Sequence, residues 1–463
     1  MGVLGKVKNK FSTSPMLKNI TKISSGTLLG QLVSLVTLPI FTRIYGATVI
    51  GYWTLFTSVA FIVNSFSDLG MTQAIMVEDD EKKRKELFSV ITTLCLVLSI
   101  IVGAIFFVYY TVVPSNSGIS PLFYAVVLTV LIFTQQQTQL CYTWLNKNGQ
   151  YNILMKNPIV NSVAIAVVAI PLGLIGTFCN ISLLITYGYY VALICGQLLT
   201  LIHMRRFIPK TNLDFNIKHY IEKIKMYQEF VKYQTPTMIL AQIKNQAPVI
   251  LIRMFFGTEI LGYYSVTNRV LSIPINLLAH SIGRVYYQNA AEKASKGENI
   301  GEFTFRNITK AMRIAIVPMI LMMSFGDVVS TIAFGSGYVV TGNMLRIFTL
   351  MTFFTFLMQA TQGVSIVIHK QKYNMILAIA QVLGYVIGLL IGKYCFNSIY
   401  VACMFMTLIF SLAQVIYFSE IFKVTDVGVS RYLRNVGASV GIILLSVAFI
   451  RLILLLLFSI PII

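Results

Sequence analysis

The 463-residue chain is patterned as uninterrupted apolar runs, most of about 20 residues or more, separated by short polar segments rich in lysine and arginine. A helix rising about 1.5 Å per residue needs a run of that length to cross a hydrocarbon core about 30 Å thick. The runs are continuous instead of alternating apolar with polar, which predicts membrane-spanning helices and not a barrel of strands. Twelve spans are expected at about 23–41, 51–76, 87–112, 121–146, 157–176, 181–204, 232–256, 262–288, 308–333, 344–368, 375–394 and 399–420, and a thirteenth at about 436–460.

The spans are organised as a duplication. Gln31, Gly46 and Gly51-Tyr52 recur 211 positions later as Gln242, Gly257 and Gly262-Tyr263, and Glu81-Lys82 and Lys85 recur as Glu292-Lys293 and Lys296. In each copy an apolar run leads to an arginine (Arg43, Arg253), a Gly-Tyr turn, and a second run that ends in a Glu-Lys loop. A further match, Tyr151-Asn152 with Tyr373-Asn374, is offset by 222 positions. Each half holds six spans, an even number, so both enter the membrane in the same direction. The expected fold is therefore an all-α polytopic membrane protein of about 12–13 transmembrane helices, with two parallel six-helix lobes related by a pseudo-two-fold along the membrane normal. The expected parts are a basic cytoplasmic N-terminus (1–22), an N-lobe (23–204), a linker (205–229), a C-lobe (230–420) and an extension carrying the extra span (421–463). Ile217, Ile221, Ile224 and Tyr227 share one helical face, so the linker is expected to form a short amphipathic helix at the inner membrane surface.

Composition agrees with this class: 56% of residues are hydrophobic, 11% are charged, and mean hydropathy is +0.77. The net charge of +20 resides largely in the short loops, where positive residues keep a loop in the cytoplasm, and so does not point to nucleic acid. Cys95, Cys141, Cys179, Cys195, Cys395 and Cys403 lie in or beside apolar runs without a C-x-x-C pattern. They read as buried small hydrophobes; neither a metal nor a cofactor is implied. No phosphate-binding loop or paired outer carboxylates indicate covalent chemistry, so the chain does not read as an enzyme.

Ionisable and amide side chains inside spans carry the functional expectation, because they are costly there. Lys244 and Arg269 lie deep in the seventh and eighth spans, and both replace neutral residues of the first copy. With Arg284, Arg43 and Arg253 they are candidates for a cationic cavity that would offset the dehydration of an anionic substrate. Asp68, His280, Gln31, Gln242, Gln136 and Gln139 are candidates for polar contact or ion coupling, and Gln135–Gln139 make the fourth span unusually polar. For Asp68 a plain helix–helix hydrogen bond fits equally well. Asp327, Arg346 and Arg313 complete the intramembrane charges.

The run Gly26-Thr27-Leu28-Leu29-Gly30-Gln31, the segment Leu38-Pro39-Ile40-Phe41-Thr42-Arg43-Ile44-Tyr45, and Asp68-Leu69-Gly70 and Asn148-Gly149-Gln150-Tyr151 resemble the polysaccharide-transport family. These are the O-antigen and capsule repeat-unit flippases of the multidrug/oligosaccharidyl-lipid/polysaccharide exporter superfamily. The resemblance implies two lobes in a bacterial cytoplasmic membrane and an undecaprenyl-diphosphate-linked oligosaccharide as substrate. It further implies alternating access coupled to H+ or Na+, surrounding membrane lipids, and polysaccharide polymerase machinery as a partner. Two other readings compete: a multidrug or organic-cation antiporter, which would favour an acidic cavity, and a membrane glycan polymerase or ligase, which would need a larger outer loop.

Overall fold

The chain is described by a computed structural model over residues 15–112, 119–210 and 213–458. The expected turn at Pro114-Ser115-Asn116 and the N-terminal Lys6, Lys8 and Lys10 lie outside those residues. Helices account for nearly all of the described chain, and no strand occurs among the described residues.

The first two expected spans form one element, α1 (Pro15–Ser67), bent at Gly46. Gly46 has φ 74° and ψ 173°, a backbone region open essentially to glycine alone. The turn expected between the first two spans is therefore a break at a single residue, after which the helix resumes. The short α2 (Met71–Val77) follows, and α3 (Glu81–Val112) begins within the expected charged loop. Its first turn is stabilised by an i,i+4 pair, Glu81 with Lys85 at 2.7 Å, which extends the helix into the polar segment. Helix α4 (Pro121–Lys147) starts on a Ser120 side-chain cap with proline in its first turn. Helices α5 (Tyr151–Phe178), α6 (Ser182–Arg205) and the linker helix α7 (Ile217–Met226) complete this part.

Helix α8 (Thr235–Phe256) leads to α9 (Thr258–Pro274), and Gly257 between them has φ 92° and ψ 176°. The duplicated glycine thus takes the same special conformation in both copies. The expected eighth span is helical throughout but holds a π-helical turn (Ile275–Ala279) between α9 and α10 (His280–Ser295), directly after Pro274, which cannot donate a backbone hydrogen bond. Helices α11 (Ile300–Phe334), α12 (Val339–Ala360), α13 (Val364–Val367), α14 (Lys372–Leu390), α15 (Ile399–Val424) and α16 (Val429–Phe458) follow.

Among the described residues nine stretches are long and apolar enough to cross a membrane, and the first, Lys22–Ser67, is twice the usual length. Helices α4, α8 and α9 are not among the nine. Of the four fewer than the thirteen expected, one reflects the joining of the first two spans in α1, and three reflect polar residues: Gln135–Gln139 in α4, Gln242 to Gln246 in α8, and Asn268-Arg269 in α9. The chain is a multi-pass membrane protein.

The chain divides into two compact units, Met1–Gln246 and Ala247–Ile463. The division falls inside α8. In the first unit, Phe88, Trp144, Leu140, Ile91, Met71 and Met204 form a buried core. Phe88 meets Trp144 edge to face at 5.8 Å, and Arg84 and Arg205 cover those two rings at 5.1 and 4.8 Å. The linker helix α7 docks on this unit. Lys223 Nζ donates to Glu86 at 2.8 Å, Tyr227 Oη donates to Glu78 at 2.7 Å, and the Asp214 backbone N–H donates to Thr93 at 3.1 Å. Ile217 and Ile221 are exposed, while Tyr227 and the partly buried Ile224 pack against the core. The four apolar residues expected on one face are thus divided between the surface and the protein.

The second unit packs α11, α12, α15 and α16 around Tyr286, Met312, Phe353, Phe356 and Phe418. Helix α16 is a full member of this core, contributing Tyr432, Val436, Ile443 and Val447. Cys95, Cys141 and Cys403 are buried, whereas Cys179 and Cys395 are exposed at helix ends, a correction to the expectation that all six are buried.

Candidate functional site

Residues of α1, α4, α5 and α6 line an open-sided cavity of about 390 Å³ within the first unit. Its polar lining is dominated by carboxamides: Gln135 and Gln139 from α4, Asn157 and Asn161 from α5, and Gln197 from α6. Each pair on one helix is spaced four apart, and i,i+4 spacing places both side chains on the same face. Thr27, Thr138 and Thr200 add hydroxyls, and Phe61 and Tyr142 add aromatic walls. No Asp, Glu, Lys or Arg is among the lining residues.

The depth follows from helix geometry. Gln139 and Gln135 lie 8 and 12 residues before the end of α4 at Lys147, about 12 and 18 Å along the axis. Asn157 and Asn161 lie 6 and 10 residues after the start of α5 at Tyr151, about 9 and 15 Å in. The cavity therefore sits nearer the end of the unit that carries Lys147, Tyr151 and Arg205.

Some of these amides are engaged. Asn64 Nδ2 donates to Gln135 Oε1 at 3.4 Å, and Thr134 Oγ1 donates to Gln197 Oε1 at 2.8 Å. Asn157 is only 6% exposed, yet its Oδ1 and that of Asn161 are buried with no protein hydrogen-bond partner. A buried polar atom without a partner costs free energy, on the order of 1–3 kcal/mol. Both residues line the cavity, and rotation of either carboxamide would turn its oxygen toward a polar guest.

The other sequence-derived candidates are distributed as follows. Gln139 is exposed to the cavity, while Gln136 is buried beside it and directs Nε2 at Thr72 at 3.5 Å. Asp68 is buried, and its two oxygens accept from the backbone N–H groups of Gly70 and Thr72 at 3.0 and 3.2 Å. Its charge is thus engaged at the start of α2. Gln31 and Arg43 are exposed on α1. Lys244 and Gln242 are half-buried on α8 in the first unit. Arg253, Arg269, His280 and Arg284 are half-buried in the second unit, where Arg284 Nε donates to the His280 carbonyl at 3.3 Å. Among the described residues no group of three or more His, Cys, Asp or Glu could hold a metal ion.

Two features were missed by sequence reasoning. Asn157, Asn161 and Gln197 complete the cavity, and the signal was present as isolated carboxamides in apolar spans. In the second unit the buried Arg451 of α16 joins the partly buried Asp327 and Arg346 in a charge cluster. Arg451 lies inside a hydrophobic run, and nothing in its local pattern names its partner.

Comparison with known proteins places the chain. A family model described as "Polysaccharide biosynthesis protein" matches residues 40–343. The teichuronic acid biosynthesis protein TuaB of Bacillus subtilis is 22% identical over 363 residues, 76% of this chain and 69% of that protein. Among solved structures, the lipid II flippase MurJ in an inward closed conformation is 16% identical with a TM-score of 0.70, covering 94% of this chain and 97% of that one. A multidrug resistance transporter of the MATE family in an inward-facing conformation is 12% identical with a TM-score of 0.54, covering 88% and 94%. At these identities the two structures are similar to this chain in fold.

Proposed function

The chain belongs to the polysaccharide biosynthesis protein family, and we propose that it is a flippase for an undecaprenyl-diphosphate-linked oligosaccharide. It moves its substrate from the inner to the outer leaflet of a bacterial cytoplasmic membrane by alternating access, with an H+ or Na+ gradient as the energy source. It is a transporter and not an enzyme, and its N-terminus faces the cytoplasm.

One conjunction carries the reading: membership of a polysaccharide-making family in a chain with nine stretches, among the described residues, long and apolar enough to cross a membrane. Such a protein meets its glycan inside the membrane, and there a glycan is carried on lipid. The fold similarity to a lipid II flippase over almost the whole chain supports the same class. The chemistry of the residues is consistent with it. A diphosphate crossing hydrocarbon loses its hydration, and half-buried Lys244 of the first unit and Arg269 of the second are each a cation able to offset part of that loss. Asp68 and His280 are the coupling candidates among the remaining titratable groups. The neutral amide cavity argues against an organic-cation antiporter, which would need carboxylates.

The test is complementation of a strain lacking its own repeat-unit flippase, with mass spectrometry of lipid-linked sugars. Restored surface glycan and loss of the accumulated lipid-linked precursor are expected. Continued accumulation despite normal membrane insertion would overturn the reading.

A further inference from the structure

We propose that the carboxamide cavity of the first unit, whose lining contains none of the cations proposed to answer the diphosphate, is a recognition site for neutral sugar residues. This rests on the flippase reading only for the identity of the guest's carrier. The cavity itself stands on its own geometry.

A lipid-linked oligosaccharide presents two chemistries, a dianionic diphosphate and a cluster of uncharged hydroxyl and acetamido groups. The cavity suits the second. Its polar lining consists of carboxamides and hydroxyls, with no fixed charge among the lining residues. A carboxamide donates and accepts at once, as a sugar hydroxyl does, so each can complete the other. Asn157 and Asn161 hold acceptor atoms that no protein donor reaches. Phe61 and Tyr142 are placed to cover the C–H faces of a pyranose ring. The volume of about 390 Å³ lies within the roughly 300–1,000 Å³ of small-molecule sites and accommodates a monosaccharide or disaccharide unit. A charged sugar would leave its ion without a counter-charge, so the cavity should discriminate against one.

The experiment uses the full chain in nanodiscs with Thr138→Cys in the cavity wall and Cys179, Cys195 and Cys395 replaced by serine. The rate of maleimide alkylation is read with and without a panel of free neutral mono- and disaccharides at millimolar concentration. At least one neutral sugar is expected to slow alkylation about tenfold, and Asn161→Leu or the milder Gln139→Ala should remove most of that protection. A sugar acid of the same ring type should protect little. Alkylation unchanged by every sugar, or protection that survives both substitutions, overturns the proposal. A parallel arm follows undecaprenyl diphosphate carrying a neutral disaccharide across reconstituted vesicles. Sugar protection without lipid transport would remove the flippase reading and leave the cavity standing. Lipid transport that is unaltered by Asn157→Leu and Asn161→Leu would remove the cavity and leave the flippase reading standing.

Discussion

Arg451 and Asp327 meet inside the second unit. Arg451 Nη1 donates to Asp327 Oδ1 at 3.1 Å and to the Ser324 carbonyl at 3.2 Å, and its Nη2 reaches the other carboxylate oxygen. Arg346 approaches the same carboxylate at 3.6 Å and donates from Nε to the Met323 carbonyl at 3.1 Å. One carboxylate is thus shared by guanidinium groups from α12 and α16. The thirteenth span, which has no counterpart in the first half, is tied by charge to the body of its unit.

Removing the carboxylate should cost more than removing either arginine, because it leaves two like charges together. Asp327→Ala is expected to destabilise by on the order of 3–5 kcal/mol, the range for breaking a buried pair. Arg451→Met should cost less, since Arg346 remains as a partner. The thermal midpoint of the detergent-purified chain checks the order. A double exchange, Asp327→Arg with Arg451→Asp, should recover part of the loss; equal midpoints for the two single variants would show that the cluster is not coupled.

Gly46 and Gly257 share a conformation that other residues avoid, and no atom lies within 4 Å of where a Cβ would stand on either. The penalty for alanine is therefore backbone strain alone, about 1–3 kcal/mol at each site. Gly428→Ala, also in open space but with no positive φ, serves as the control. Folded yield and midpoint should fall for Gly46→Ala and Gly257→Ala and stay unchanged for the control.

Acid should loosen the linker helix from the first unit. Tyr227 donates to Glu78, and this hydrogen bond is the main reason the Glu78 carboxyl is held below its ordinary value of 4.5. A depressed folded-state pKa stabilises fully above 4.5, and that contribution is lost as pH falls through the folded value. Hydrogen exchange over residues 213–229 should rise on acidification. In Tyr227→Phe the exchange at neutral pH should already be raised, and its further rise in acid should be smaller. An identical pH profile in the variant would remove Glu78 as the cause.

Lys244→Gln and Arg269→Gln test the proposed role of these two cations toward a diphosphate. Each is expected to lower translocation of the lipid-linked substrate about tenfold while insertion and thermal midpoint are retained. Full surface-glycan assembly by both variants would exclude the cationic contribution.

Much of the fold was legible in the chain because its causes are local. Run length and continuity determined the membrane class, and the recurrence of Gly46 as Gly257 determined the duplication. Composition also showed that Gln135 to Gln139 needed a polar neighbour inside the membrane. Which neighbour was a matter for the tertiary structure alone. Asn157, Asn161 and Gln197 stand on other helices, and their convergence depends on how α4, α5 and α6 rotate about their axes, which side-chain packing decides. The same holds for Arg451, more than a hundred positions from Asp327. Periodicity states that a residue is on a face; only packing states what that face meets.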